Sequence, residues 1–388
     1  MTPLLRQIVA IGVAQLIAWA STTYLIAIVA RPQAESLGLS PASVYGAFSA
    51  ALLLMGGVGP LLGRHIDRVG GRGVLCASSL IIAAALCVLG SAPGPATLFA
   101  GWLLLGLGMG CGLYDAAFAA LVRLHGTAAR GPITGITLLG GFASTLGWPL
   151  TGWLVAAWGW REACFVWAAI NLCLALPLYW RFVPVAASTA AAAAAPAAAS
   201  PTHRGRTFWL LVAFSAMTAF VTSALASHLP GVLLALGLPL AAVLAAAAVV
   251  GPAQVAGRLA EFAVARSGHL PPLRSGRLAS ALHPLGAAVL ALGGVGLPAA
   301  VVFAALHGIG NGMLTIAKGV IPLHLFGAQG YGALQGRLAL AQRLAQAAAP
   351  LLFALLLDAG GPLSALLVSS LLSVLALAAL LAIRERHD

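Results

Sequence analysis

Apolar residues in this chain do not alternate with polar ones. They come in long runs, separated by short polar connections that carry arginine. About 20 mostly apolar residues in helical form reach across the hydrocarbon core of a bilayer. Twelve such runs stand out, near 6–30, 41–63, 73–92, 95–122, 131–157, 161–182, 207–229, 239–263, 276–296, 298–323, 332–357 and 361–383. Between the sixth and seventh lies a tract of Ala, Ser and Pro that ends in His203-Arg204-Gly205-Arg206. Such a composition makes a low-complexity linker, not a domain. The predicted architecture is an all-α polytopic membrane protein of twelve transmembrane helices. It comprises a six-helix bundle over 1–182, a linker over 183–206 and a second six-helix bundle over 207–388.

Composition excludes the soluble alternatives. Of 388 residues, 61% are hydrophobic and 7% charged, and the mean hydropathy is +1.02. A water-soluble domain carries about 25% charged residues, because its surface must face water. The net charge of +12 raises the question of nucleic acid. The basic residues fall in the short connections, however, as expected of a chain oriented in a membrane with its Lys and Arg in the cytoplasm. Arg64, Arg68, Arg72, Arg123, Arg130, Arg181, Arg204, Arg206, Arg266, Arg274 and Arg277 fall on one side, and the tail adds Arg384 and Arg386. The other side holds little beyond Arg31 and Arg161. Both termini and the linker are therefore expected in the cytoplasm. The abundance of Ala and Arg suggests a GC-rich bacterial source, so the expected location is the bacterial inner membrane. No A-x-A cleavage pattern follows a short apolar segment at the start, and the first run reads as a membrane helix, not a removed signal. Cys76, Cys87, Cys111, Cys164 and Cys173 lie in or near apolar runs with no C-x-x-C pair. They read as small hydrophobes, with no disulfide framework and no metal site.

The halves repeat one another. Val58-Gly59-Pro60 leads to Gly63-Arg64-His65-Ile66-Asp67 in the second run. Val250-Gly251-Pro252 leads to Gly257-Arg258-Leu259-Ala260-Glu261 in the eighth. Gly108-Met109-Gly110-Cys111-Gly112 in the fourth matches Gly308-Ile309-Gly310-Asn311-Gly312 in the tenth. The same order in both halves indicates a duplicated six-helix unit. Small residues of this kind let helix backbones approach closely.

The stretch Gly63-Arg64-His65-Ile66-Asp67-Arg68-Val69-Gly70-Gly71-Arg72 resembles the signature loop of the major facilitator superfamily, G-x-x-x-D-[RK]-x-G-[RK]-[RK]. Gly63, Asp67, Arg68, Gly70 and Arg72 match, and Gly71 departs from a basic position. The resemblance extends over helix count, linker and duplication. It implies two bundles that rock about a midplane site, with the loop's Asp and Arg as part of a cytoplasmic charge network that opens and closes. Arg258 and Glu261, three apart on one helix face, are expected as the second-half gate pair, with an anion-binding Arg258 as the alternative. Leu104 stands where many proton-coupled exporters of the family carry Arg. Gly147-Trp148-Pro149-Leu150-Thr151-Gly152 matches the antiporter motif only in part. The chain is loosely similar to the monocarboxylate and oxalate–formate type of facilitator.

Ionisable residues inside a membrane are expensive and face a cavity or a partner. Arg343, flanked by Gln342 and Gln346, lies mid-run and offers a fork suited to a carboxylate or phosphate; an internal ion pair is its alternative. Arg337 reads as a snorkelling or gate residue. Lys318, the sole lysine, is a second candidate anion ligand, with a gate role open. Asp115 is expected to be desolvated and able to carry a proton, or to pair with Arg123 or Arg130. His283 and His307 are candidates for proton coupling, with plain inter-helix hydrogen bonding as their alternative, and His228 reads the same way. Gln15, Trp19 and Thr22 in the first run, Ser215, Thr218 and Thr222 in the seventh, and Asn311 and Thr315 in the tenth follow helical spacing. By the resemblance these helices line the central path. The residues either contact substrate there or bond helix to helix.

No G-x-S-x-G, H-E-x-x-H or Walker loop is present, so no enzyme activity and no cofactor are expected, and a gradient must supply the energy. The expected function is secondary transport of a small organic anion, coupled to protons. Deep cations (Arg343, Lys318) outnumber deep acids (Asp115). An exporter of hydrophobic or cationic compounds is the alternative, and a non-transporting scaffold or receptor a remote one. The expected partners are substrate, protons and lipid, with the protein monomeric.

Overall fold

Helix follows the apolar runs through the computed structural model, which describes residues 2–185, 205–266, 271–326 and 331–383. The chain separates into two compact units, Met1–Ala199 and Ser200–Asp388. The division falls within the tract expected as a linker. Residues 186–204 of that tract, and Arg384 and Arg386 of the tail, lie outside the described residues.

In the N-terminal unit the ideal helix is interrupted in several spans. The first span is α1 (Pro3–Ala20) and α2 (Ile26–Leu37). At the break Ser21 Oγ donates to Ile17 O at 2.8 Å and Thr22 Oγ1 to Ala18 O at 2.6 Å. Hydroxyls bonded to the preceding turn in this way loosen a helix. α3 (Pro41–Val69) is capped by Ser40, whose side chain accepts from Ser43 N, and α4 covers Arg72–Gly90. The fourth span splits into α5 (Pro95–Gly112) and α6 (Tyr114–His125) at Leu113, whose ψ of −175° is extended. The fifth is α7 (Arg130–Gly140) and α8 (Ala143–Trp158). The sixth is α9 (Trp160–Ile170) and α10 (Leu176–Phe182), joined by a π turn at Asn171–Ala175. Asn171 Nδ2 donates to Ser21 Oγ at 3.0 Å, which ties the irregular turn of the sixth span to that of the first.

The C-terminal unit is more regular: α11 (Arg206–Ala235), α12 (Leu240–Arg266), α13 (Pro272–Leu292), α14 (Leu297–Phe326) and α15 (Tyr331–Leu381). α15 spans both of the last two predicted runs. It is interrupted at Gly361, with φ 72° and ψ −177°, immediately before Pro362. Among the described residues ten stretches are long and apolar enough to cross a membrane. α13, which opens on Pro-Leu-Arg-Ser-Gly-Arg, is not among them, and α15 counts as one. Restoring α13 and dividing α15 at Gly361 gives the twelve predicted spans.

Glycine sets the close packing inside each unit. A Cβ on Gly106 would strike the carbonyl of Ala51 on α3, and one on Gly108 would meet Ile82 on α4. In the other unit Gly308 lies against the carbonyl of Val250 on α12 and Gly310 against that of Ala279 on α13. Each middle helix is thus wedged between the two before it, as small-residue packing between apolar helices requires.

Candidate functional site

The deepest charges lie in the C-terminal unit. Arg343 on α15 is 9% exposed. Its Nη1 donates to Gln346 Oε1 at 2.6 Å, and its charge acts on the half-buried Lys318 of α14. The two basic groups thus sense one another from two packed helices, and Gln342 sits half-buried one residue before Arg343. Arg337, expected near a helix end, lies with its guanidinium 5.8 Å from the Phe208 ring, a cation–π contact.

Proline exposes backbone at these same residues. Pro322 and Pro350 lack the N–H that a helix would direct to the carbonyl four residues earlier. Those carbonyls belong to Lys318 and Gln346. Gln335 Nε2 donates to Lys318 O at 3.1 Å, and Ser223 Oγ to Gln346 O at 2.9 Å. In lipid an unmet carbonyl is severely penalised, and both are answered by side chains from elsewhere in the bundle. His228 Nε2 donates to Pro350 O at 2.8 Å, an inter-helix bond of the kind given as one of its two readings. Ser223 and Gln335 were missed in the sequence. The signal was available: a proline inside a long helix marks an orphan carbonyl one turn back.

His283 and His307 meet. Their Nδ1 atoms lie 3.1 Å apart, and His283 Nε2 is 3.1 Å from Ser369 Oγ. With the Ser369 hydroxyl proton on Leu366 O at 3.0 Å, Ser369 accepts from His283 Nε2–H. A neutral His283 protonated at Nε2 then accepts at Nδ1 from His307 Nδ1–H. The bonds run in one direction and leave a lone pair at His307 Nε2. A small cavity of about 10 Å³ beside the pair is lined by Thr218, Thr222, Ser280, Asn311 and Ser373 among others. That is room for about one water.

The polar stripes divide. Thr222 Oγ1 donates to Asn311 Oδ1 at 3.0 Å, linking α11 to α14 beside that cavity. Thr218 donates to Phe214 O, and Thr315 to Asn311 O, each within its own helix. Ser215 is buried. Gln15 is fully buried, and its Nε2 donates to Gly112 O at 2.5 Å and Tyr179 OH at 2.9 Å. It bonds the first span to the fourth and sixth, the inter-helix alternative. Thr22 is equally buried and bonded at the α1 break. Trp19 alone of that stripe is half-buried. Its ring centroid is 5.0 Å from Tyr114 and 6.4 Å from Tyr24. Tyr24 in turn sits edge-on to Trp148 at 5.4 Å, and Tyr114 stacks on Phe118 at 5.2 Å. This aromatic cluster was not predicted beyond Trp19, since its members come from three spans far apart in sequence.

Asp115 lies in the first turn of α6 and is exposed rather than packed against protein. Arg123, suggested as its partner, acts electrostatically on Asp67. In the signature stretch Asp67 and Arg68 are exposed, Gly63 is half-buried, and Gly70 closes α3 with φ 98°. Arg72 lies over the Trp180 ring at 4.3 Å. The departure at Gly71 has a steric cause, because a Cβ there would collide with Ala120 of α6. The second-half counterparts are buried. Arg258 Nη2 reaches Thr315 Oγ1 at 3.4 Å, and Glu261 Oε1 accepts from Ser275 Oγ at 2.7 Å.

A family model described as Major Facilitator Superfamily matches residues 11–296. The crystal structure of the human organic anion transporter MFSD10 (TETRAN) superposes with a TM-score of 0.72 at 16% identity, covering 98% of this chain and 100% of that one. At that identity the likeness is one of fold. With the family match, the duplicated helical units and the signature stretch in agreement, the chain belongs to the Major Facilitator Superfamily, a family of membrane transporters and not of enzymes.

Proposed function

We propose that the chain is a secondary active transporter that moves a small organic anion by alternating access, driven by protons. The observation that supports this reading is the pair Arg343 and Lys318, one buried and one half-buried, whose like charges act on each other within one bundle. An anion relieves that repulsion, and the Arg343 fork with the neighbouring Gln346 amide suits a carboxylate. Protons are carried by the His307–His283–Ser369 chain, entering at His307 Nε2, while the exposed Asp115 is left to the cytoplasmic charge network. Asp67, Arg68 and Arg72 in one unit, and Arg258 and Glu261 in the other, are its gates. The protein works as a monomer in a bacterial inner membrane with both termini in the cytoplasm.

The test is the melting temperature of purified protein against a panel of organic anions, cations and neutral metabolites, with Arg343→Gln in parallel. A ligand that binds only the folded state raises the melting point by mass action. Stabilisation by anions that disappears in Arg343→Gln supports the reading. Stabilisation by cations alone, unchanged in Arg343→Gln, refutes it. The second reading, export of hydrophobic cations, is favoured by one observation: the half-exposed aromatic cluster around Trp19 offers π faces to a cation.

A further inference from the structure

Five half-buried aromatic rings gather in the N-terminal unit from three spans: Trp19 and Tyr24 of the first, Tyr114 and Phe118 of the fourth, and Trp148 of the fifth. The packing aromatics of the same unit look different. Trp102, Tyr179 and Phe48 are fully buried. The indole N–H groups of Trp102, Trp160 and Trp167 are satisfied by Gln33, Ser36 and Thr151, at 3.2, 3.1 and 3.0 Å. In the cluster the indole nitrogens of Trp19 and Trp148 are shielded from solvent yet have no hydrogen-bond partner. The same holds for the hydroxyl of Thr145, three residues before Trp148 on α8, and for Gln15 Oε1, one turn before Trp19. Polar atoms shielded in this way, three of them donors and Gln15 Oε1 an acceptor, destabilise the protein until a partner meets them. Half-open ring faces beside unmet donors describe a place that a ligand completes.

We propose that this cluster is a subsite for a flat aromatic ring bearing a hydrogen-bond acceptor, and so that the transported solute is an aromatic compound. This rests on the reading of the chain as a carrier of organic solutes but not on the sign of the solute's charge. The rings of Trp19, Tyr114 and Trp148 supply offset or edge-on partners for the ligand ring. The two indole N–H groups and the Thr145 hydroxyl supply donors to its acceptor atom. A saturated ring of the same size gains neither the π contact nor the acceptor geometry.

The experiment is equilibrium binding to the full purified chain of three matched ring pairs. These are benzoate and cyclohexanecarboxylate, benzyl alcohol and cyclohexylmethanol, and benzyltrimethylammonium and its cyclohexyl analogue. The expected result is a preference of about threefold to tenfold for the aromatic member in whichever head-group series binds. That preference should vanish in Trp19→Leu and Trp148→Leu while cyclohexyl binding stays near wild type. Trp19→Phe, which keeps a ring face but not the donor, should retain it. Pyridine-3-carboxylate, with an acceptor in the ring, should bind more tightly than benzoate to wild type but not to Trp19→Phe. Equal binding of aromatic and saturated members in all three series overturns the proposal, as does a preference that survives both leucine variants. Each leucine variant is read singly, so that misfolding of one, seen as loss of cyclohexyl binding, leaves the other to decide. The head-group ranking is a separate readout. Tightest binding of the trimethylammonium pair defeats the anion reading and leaves the aromatic subsite standing.

Discussion

Ser223 Oγ donates at 2.9 Å to the carbonyl of Gln346, the carbonyl that Pro350 leaves without a helical partner. The gap that the proline leaves in α15 is thereby bonded from α11, at the residue whose side chain contacts Arg343. Backbone irregularity deep in lipid is tolerated only where such a partner exists.

Ser223→Ala should lower stability by about 1 kcal/mol, in the range measured for hydrogen bonds between membrane helices. The double variant with Pro350→Ala should recover most of that loss, because the new amide N–H supplies the missing bond. The check is a double-mutant cycle on unfolding in detergent. Additive losses would mean that Ser223 acts through packing and not through the Gln346 carbonyl.

Lys318 and Arg343 repel, so removing one charge should help the empty protein while harming the loaded one. Lys318→Met is expected to raise the melting temperature without ligand and to shrink the rise produced by a saturating organic anion. Opposite movement of the two readings is the mark of a binding charge held at a cost in stability. A variant that melts lower and keeps its full ligand response would make Lys318 a structural residue.

The spans were legible because a membrane imposes a length and a hydropathy on each one. The duplicated glycine runs were legible because close helix packing admits few residues. The interruptions were not. Nothing local at Leu113 announces an extended residue, and the turn at Ser21–Leu25 depends on Asn171 from a distant span. The site was legible in its charges, since a lone Lys318 or Arg343 in an apolar run stands out. Its partners were less so. Ser369 is one of many serines in apolar helix, and only the fold brings it to His283. The surroundings of Asp115 were hidden for a related reason: the break at Leu113 puts it at the exposed start of a half-helix.

His307, His283 and Ser369 form one chain of contacts, which runs from His307 Nδ1–H to Ser369 when the serine proton lies on Leu366 O. This predicts that His307→Asn, which removes the basic Nε2, abolishes uptake driven by a proton gradient in liposomes. Exchange of labelled for unlabelled substrate should persist, because binding and rocking do not need the proton. Ser369→Ala should leave exchange intact and weaken driven uptake only in part. Equal loss of both activities in His307→Asn would assign the pair to folding or substrate contact.

Gly63 and Gly257 occupy the same place in the repeated motif, yet their surroundings differ. A Cβ on Gly63 would meet nothing within 4 Å, whereas one on Gly257 would lie 2.6 Å from the carbonyl oxygen of Ile309 on α14. That oxygen belongs to the backbone of a packed helix and cannot swing aside. Gly257→Ala should therefore force α12 and α14 apart, at about 1–3 kcal/mol for overpacking. Gly63→Ala, inside α3, should be neutral or stabilising by up to about 1 kcal/mol, from the higher helix propensity of alanine. Melting temperatures of the two variants in one detergent decide the matter. If both fall equally, the glycine at this motif position is required by something common to the two units, such as the rocking motion or its gate, and not by the local approach of α14.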